Sequence, residues 1–223
     1  MVKVKICGLR SLQDVEAASG ADAMGFIVET PRSQRNLPLE IARLLLARVP
    51  LFTSSVLVTQ IKDPLKLGWL VIEAGPHALQ VHTELSAIEV KRIRQALPAP
   101  VKLYSLLGLA EDGGGALKVQ RARQLAASGL NGLILDTKTE GWSGGTGRTG
   151  DWALSRKIRD AIAPFPVILA GGLNTENVLE AIRQVEPYAV DVSSGLEEGE
   201  AKSRAKILDF LNKVRSYGHQ GSD

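Results

Sequence analysis

The chain has a single cysteine, Cys7, and only three histidines, at positions 77, 82 and 219. One thiol cannot close an intrachain disulfide, so nothing calls for an oxidising compartment, and the expected location is the cytoplasm. Three scattered histidines are too few for the His- and Asp-rich strand ends of a metal-dependent epimerase. Long apolar runs are also missing: none approaches the ~18 residues that cross a membrane. The opening MVKVKICGLR alternates charged and apolar residues and has no apolar block of the secretory kind, so no export signal is expected. The net charge is +3, but the Lys and Arg are scattered, without the clustered stripe that holds nucleic acid. Such a surface favours small anions only mildly.

What the chain does have is regular alternation. Short β-branched or apolar runs occur at 2–7, 23–28, 54–59, 78–82, 101–107, 132–136, 166–171 and 189–194. Between and after them lie amphipathic stretches such as SLQDVEAASG, PLEIARLLLARV and SAIEVKRIRQAL. Strands alternating with helices imply parallel pairing. Eight such units of roughly 28 residues predict a (β/α)8 barrel of the TIM type, near the short end of its size range. An open doubly wound sheet is the alternative, but strand one is followed by CGLR rather than a Gly-rich fingerprint. No low-complexity segment or linker divides the chain, so residues 1–216 are read as one barrel domain and 217–223 as a frayed tail.

In a barrel, alternate strand residues point inward and sites form where strands end. In VKVKIC, Val2, Val4 and Ile6 share the helix-facing side, which turns Lys3, Lys5 and Cys7 the other way. The same spacing puts Gln80 with His82, turns Asp136 inward behind Leu133 and Leu135, and pairs Asp191 with Ser193. Each of these residues also has an ordinary role. A lone cysteine is commonly a small buried hydrophobe, Asp136 can start a loop, His82 can be a satisfied core histidine, and Lys5 can partner a buried carboxylate. Their shared location is what suggests chemistry.

Three further stretches are rich in glycine. Gly171 and Gly172, in LAGGLNTEN, are read as lying just before a helix N-terminus; Ser193, Ser194 and Gly195, in DVSSGLEEG, follow the last strand. Backbone N–H groups at such turns suit a phosphate, and barrels often bind phosphate after strands seven and eight. The third stretch, DTKTEGWSGGTGRTGDW from Asp136 to Trp152, holds five glycines. It is read as a loop that folds over a bound ligand and excludes water.

The motifs KICG (5–8), GF and SQR (25–26, 33–35), LQVH (79–82), Asp136 with GGTGRTGDW (144–152), AGGLN (170–174) and DVSSGLE (191–197) span nearly the whole chain. Together they resemble the phosphoribosylanthranilate isomerases of tryptophan biosynthesis. Three departures bear on loops: Thr83 follows His82 where the family usually has glycine, Gly150 stands where a bulky apolar residue is common, and ETPRSQRN matches loosely. The resemblance implies an Amadori rearrangement of a small phosphorylated substrate without metal or organic cofactor, by a monomer or homodimer. It implies Asp136 as acid and Cys7 as base. It also implies Arg35 against the anthranilate carboxylate, with Arg32 close in sequence as its rival. His82 and Asp191 fall to substrate binding, and Gly171, Gly172, Ser194 and Gly195 to the phosphate. The histidine-pathway isomerase that runs the same chemistry is the runner-up, but it resembles an aspartate where this chain has Cys7. A barrel that binds phosphorylated ligands without catalysis is the other alternative.

Overall fold

A computed structural model describes residues 1–109, 114–136 and 151–219. Its strands and helices follow in the order β1 (Lys3–Cys7), α1 (Leu12–Ala17), β2 (Ala23–Val28), β3 (Asn36–Leu37), α2 (Leu39–Leu46), β4 (Ser54–Thr59), α3 (Pro64–Ala74), β5 (Ala78–Glu84), α4 (Ala87–Ala96), β6 (Lys102–Gly108) and α5 (Gly115–Ala126). They continue with β7 (Gly132–Asp136), α6 (Trp152–Ile162), β8 (Val167–Ala170), α7 (Val178–Val185), β9 (Ala189–Val192), a 3-10 turn η1 (Ser194–Leu196), a hairpin of β10 (Glu197–Glu198) and β11 (Ala201–Lys202), and α8 (Arg204–His219).

The main sheet runs β1-β9-β8-β7-β6-β5-β4-β2-β3, and β1 also pairs with β2. Leaving out the two-residue β3, eight parallel strands therefore close into a barrel, as the alternation predicted. Local chemistry sets the helix starts. Ser11 and Ser86 each form a reciprocal capping box, with Asp14 and Glu89, and Asp63 caps α3 ahead of Pro64.

Alternation sorts the side chains. Val4, Ile6, Leu133 and Leu135 belong to the large apolar layer between barrel and helices, where Phe26 and Phe210 are fully buried. Truncating either Phe to alanine removes the packing of a whole ring, worth about 3–5 kcal/mol. The barrel lumen is split differently. It holds two small apolar clusters, one with Cys7, Val56, Val58 and Ala78 and one with Ile134, Ile168, Ala170 and Ala189. Buried Lys5, Gln80 and Asp191 accompany them.

α8 runs through His219, past the expected end of the folded chain at 216. Phe210, Leu211, Val214 and Tyr217 keep a helical spacing and pack on the core, which carries the helix onward. Among the described residues no helix is long and apolar enough to cross a membrane.

Candidate active site

The strand ends surround a cavity of about 280 Å³. Cys7, Arg35, His82, Asp136, Gly171, Gly172, Asp191 and Ser194 all line it. Arg32 does not line it and is exposed, so of the two arginines it is Arg35 that reaches the cavity. Thr30, Ser33 and Gln60 add hydrogen-bonding groups to the wall, and Ile27 and Val58 an apolar stretch.

Cys7 ends β1. Period-two spacing turns its thiol into the lumen beside Lys5, whose Nζ donates to both oxygens of Asp191 at 2.9 and 2.8 Å. The side chains of this pair are only 4% and 8% exposed. Lys5 and Asp191 are direct register partners on β1 and β9, so the sheet itself sets the ion pair. Gly25 on β2 makes room for the thiol and the ammonium: a Cβ there would sit 3.0 Å from Cys7 Sγ and 3.2 Å from Lys5 Nζ. Burial raises the Cys7 pKa, and the nearby Asp191 charge adds to this. The cations Lys5 and Lys202 pull the other way without prevailing. Burial also opposes the charge on Lys5, but Asp191 outweighs it and the Lys5 pKa stays raised.

Arg35 reaches the cavity from the segment after β2. Its Nε donates to Glu197 Oε1 at 2.7 Å and its Nη2 to Glu197 Oε2, a bidentate pair. The stem passes so close over Gly8, which has φ of 76°, that a Cβ there would lie 2.4 Å from Arg35 Cδ. Glycine at this position thus meets both a left-handed backbone and a close approach. Burial alone would raise the Glu197 pKa, but hydrogen bonds from Arg35 and Lys202 bring it down to about 2.

On the far wall, Asp136 ends β7 with its side chain 17% exposed. His82 Nε2 stands 4.0 Å from its Oδ2, an approach too long for a hydrogen bond. The other ring nitrogen of His82, Nδ1, lies 3.1 Å from Gln80 Nε2. If the imidazole is neutral with Nδ1 accepting, its remaining proton is on Nε2, facing the carboxylate. The Gly-rich stretch expected to cover the ligand, residues 137–150, lies outside the described residues.

The two anion-binding turns differ from expectation in one respect. Gly171 and Gly172 have φ of 95° and 67°, but α7 begins only at Val178, so neither glycine abuts its N-terminus. Asparagine chemistry fills the gap: Asn174 Oδ1 accepts from the N–H groups of Glu176 and Asn177, and Asn177 Nδ2 donates to Gly172 O. Ser194 opens the short turn η1. Gly195 is not on the cavity wall; a Cβ on it would meet Leu173 O at 2.0 Å, so it lets the two turns pack backbone to backbone. Sequence spacing did not single out Glu197 or Lys202, because a two-residue strand is too short to show a period. Among the described residues no group of three or more His, Cys, Asp or Glu is arranged to hold a metal.

Comparison with known proteins gives consistent matches. A family model described as N-(5'-phosphoribosyl)anthranilate (PRA) isomerase matches residues 4–213. The N-(5'-phosphoribosyl)anthranilate isomerase of Methanothrix thermoacetophila is 38% identical over 221 residues, which cover 97% of this chain and 99% of that protein. Among solved structures, phosphoribosyl anthranilate isomerase from Thermotoga maritima superposes with a TM-score of 0.82 at 32% identity, covering 97% of this chain and 100% of the other. That enzyme is described elsewhere as dimeric. Another phosphoribosyl anthranilate isomerase, in complex with reduced 1-(o-carboxyphenylamino)-1-deoxyribulose 5-phosphate, has a TM-score of 0.78 at 30% identity, covering 97% and 100%.

Proposed function

The chain belongs to the N-(5'-phosphoribosyl)anthranilate isomerase family, and from that premise we propose that Cys7 is the general base and Asp136 the general acid of its reaction. The reaction is the Amadori rearrangement of N-(5-phosphoribosyl)anthranilate to 1-(2-carboxyphenylamino)-1-deoxyribulose 5-phosphate, a step of tryptophan biosynthesis. Asp136 gives its proton to the furanose ring oxygen. The bond from C1 to that oxygen breaks, and the anthranilate nitrogen forms a protonated Schiff base with C1. The Cys7 thiolate takes the proton from C2, the electron pair moves into a C1–C2 double bond, and the nitrogen becomes an amine. The resulting enolamine tautomerises to the C2 ketone.

The observation that carries this reading is that one cavity holds the thiol at the end of β1 and the carboxyl at the end of β7, with β8 and β9 between them. An acid and a base on well-separated strands can reach different parts of one sugar. Arg35 faces the substrate carboxylate, since Glu197 engages its Nε and Nη2 and the pair leaves Nη1 over. His82 and Asp191 serve the sugar hydroxyls. The turns at Gly171–Gly172 and Ser194 take the phosphate, and Gly195 supports them by letting the turns meet. We place the protein in the cytoplasm, where its single thiol stays reduced. We favour a homodimer: Leu51 and Phe52, between α2 and β4, are 85% and 98% exposed. Equilibrium sedimentation at the mass of one chain would count against it.

The test follows the anthranilate fluorescence of freshly made substrate, with a chelator present throughout. Turnover by the wild-type protein that survives the chelator and collapses in both Cys7→Ala and Asp136→Asn supports the assignment. Undiminished turnover in either variant removes that residue from its role.

A further inference from the structure

Lys202 is a charged residue on a surface hairpin whose side chain is only 2% exposed, less than that of Lys5 in the barrel lumen. Its ammonium is fully engaged. Nζ donates to Ser193 O at 3.0 Å, to Ser193 Oγ at 3.3 Å and to Glu197 Oε1 at 2.7 Å. Each of those partners leads into the cavity. Ser193 precedes Ser194, and its hydroxyl donates to Cys7 O at 3.0 Å. Glu197 holds the Arg35 guanidinium in the bidentate pair.

The hairpin is shaped to deliver this contact. Glu197 and Lys202 are register partners across β10 and β11, which places their side chains next to each other. The turn between the strands is Gly199–Glu200, with Gly199 at φ of 61° in the first central position, where a tight type II′ turn needs glycine. Arg10 ties the hairpin down by donating to Glu200 O and Gln34 O. An apolar residue would hold so short a hairpin without the desolvation of an ammonium, so the fold alone does not call for a lysine.

We propose that Lys202 is a positioning residue: its ammonium fixes the spacing between the phosphate-facing turn at Ser193–Ser194 and the carboxylate-facing Arg35, so that a ligand carrying both anions engages both together. The proposal rests on the roles given above to that turn and to Arg35. The physical consequence is specific. A ligand anchored at two ends gains from the second contact only if its site stands at the right distance, whereas a fragment with one anion has no such requirement. Loss of Lys202 therefore weakens the whole ligand and spares its halves.

The experiment is calorimetric titration of wild type and Lys202→Met with three probes: reduced 1-(o-carboxyphenylamino)-1-deoxyribulose 5-phosphate, ribulose 5-phosphate and anthranilate. The whole ligand should weaken by roughly tenfold while each half stays within about twofold. Unchanged affinity for the whole ligand, or equal losses for whole and halves, overturns the spacing role. Lys202→Gln keeps two N–H donors and serves if the methionine variant does not fold; the same pattern is expected with a smaller loss. Arg35→Ala is measured alongside. It should lose anthranilate and the whole ligand and keep ribulose 5-phosphate. If it keeps anthranilate unchanged, the role of Arg35 fails and the spacing role falls with it. If Arg35→Ala behaves as expected and the Lys202 variants do not, the spacing role alone is overturned.

Discussion

Cys7 sits among charges that are themselves buried, whereas Asp136 faces a histidine whose side chain is 39% exposed. On the base wall, the sheet register dictates the contacts: Lys5 opposite Asp191, Cys7 opposite Gly25. Across the cavity, His82 Nε2 and Asp136 Oδ2 approach only to 4.0 Å. A thiol in a packed lumen carries the cost of its deprotonation with it, and that cost shows as the raised Cys7 pKa.

The largest effects are expected from the two proposed proton-transfer residues. Asp136→Asn removes the transferable proton at constant size and should lower kcat by about 10²–10⁴-fold, with little change in melting temperature. Cys7→Ala should lower kcat by roughly 10²-fold or more while costing only about 1 kcal/mol of stability, since the lost volume is small. Near-normal turnover with a reduced melting temperature would make Cys7 a packing residue. The wild-type kcat/KM should rise with pH, because a base acts deprotonated. With the thiol pKa raised by burial, that rise should lie above the usual thiol range. A profile that has already levelled off at neutral pH would count against a protonated resting thiol.

Lys5→Met sharpens the contrast in stability instead of rate. It leaves the Asp191 carboxylate buried without its ammonium, and urea unfolding should show a loss of about 3–5 kcal/mol. The pH limb of any residual activity should move further up, because the main cation facing Cys7 is gone. A smaller cost, about 1–3 kcal/mol, is expected for Gly25→Ala, whose new methyl would crowd Cys7 Sγ and Lys5 Nζ. Native stability together with native activity would show that the wall yields more readily than its packing suggests. A further effect concerns acid stability. The Glu197 pKa of about 2 lies below its ordinary 4.5, so the stability it contributes is present above about 4.5 and is lost as pH falls towards 2. Glu197→Gln should flatten acid unfolding across that window, and an unaltered curve would place the charge-linked stability elsewhere.

Much of this was legible in the sequence where a period had room to repeat. The strands at 23–28, 54–59 and 132–136 run as the apolar pattern drew them, and period-two spacing sent Lys5, Cys7 and Asp191 into the lumen. Legibility failed where structure is made by single contacts. Neither Glu197 nor Lys202 drew a role from the sequence, since only tertiary packing of a two-residue strand buries them. Gly195 read as a position of close approach, and a Cβ there would meet the Leu173–Asn174 backbone. Gly171 and Gly172 read as lying just before a helix N-terminus, but the side chains of Asn174 and Asn177 build a further turn ahead of the helix.

The Lys5–Asp191 pair joins positions 186 residues apart, on the first and last strands of the barrel. It is the seam of a closed ring, and a chain that has not brought its two ends together has nowhere to put either charge. Fragments that stop short of β9 should therefore stay soluble only when supplied with the missing piece. Contacts so distant along the chain form slowly, because the connecting loop must close first. A circular permutant that links the natural termini and opens the chain between α4 and β6 makes the seam a local contact. The β5–β6 pairing then joins the first and last strands and becomes the distant contact in its turn, so refolding should keep about the same rate while losing its dependence on the Lys5–Asp191 pair.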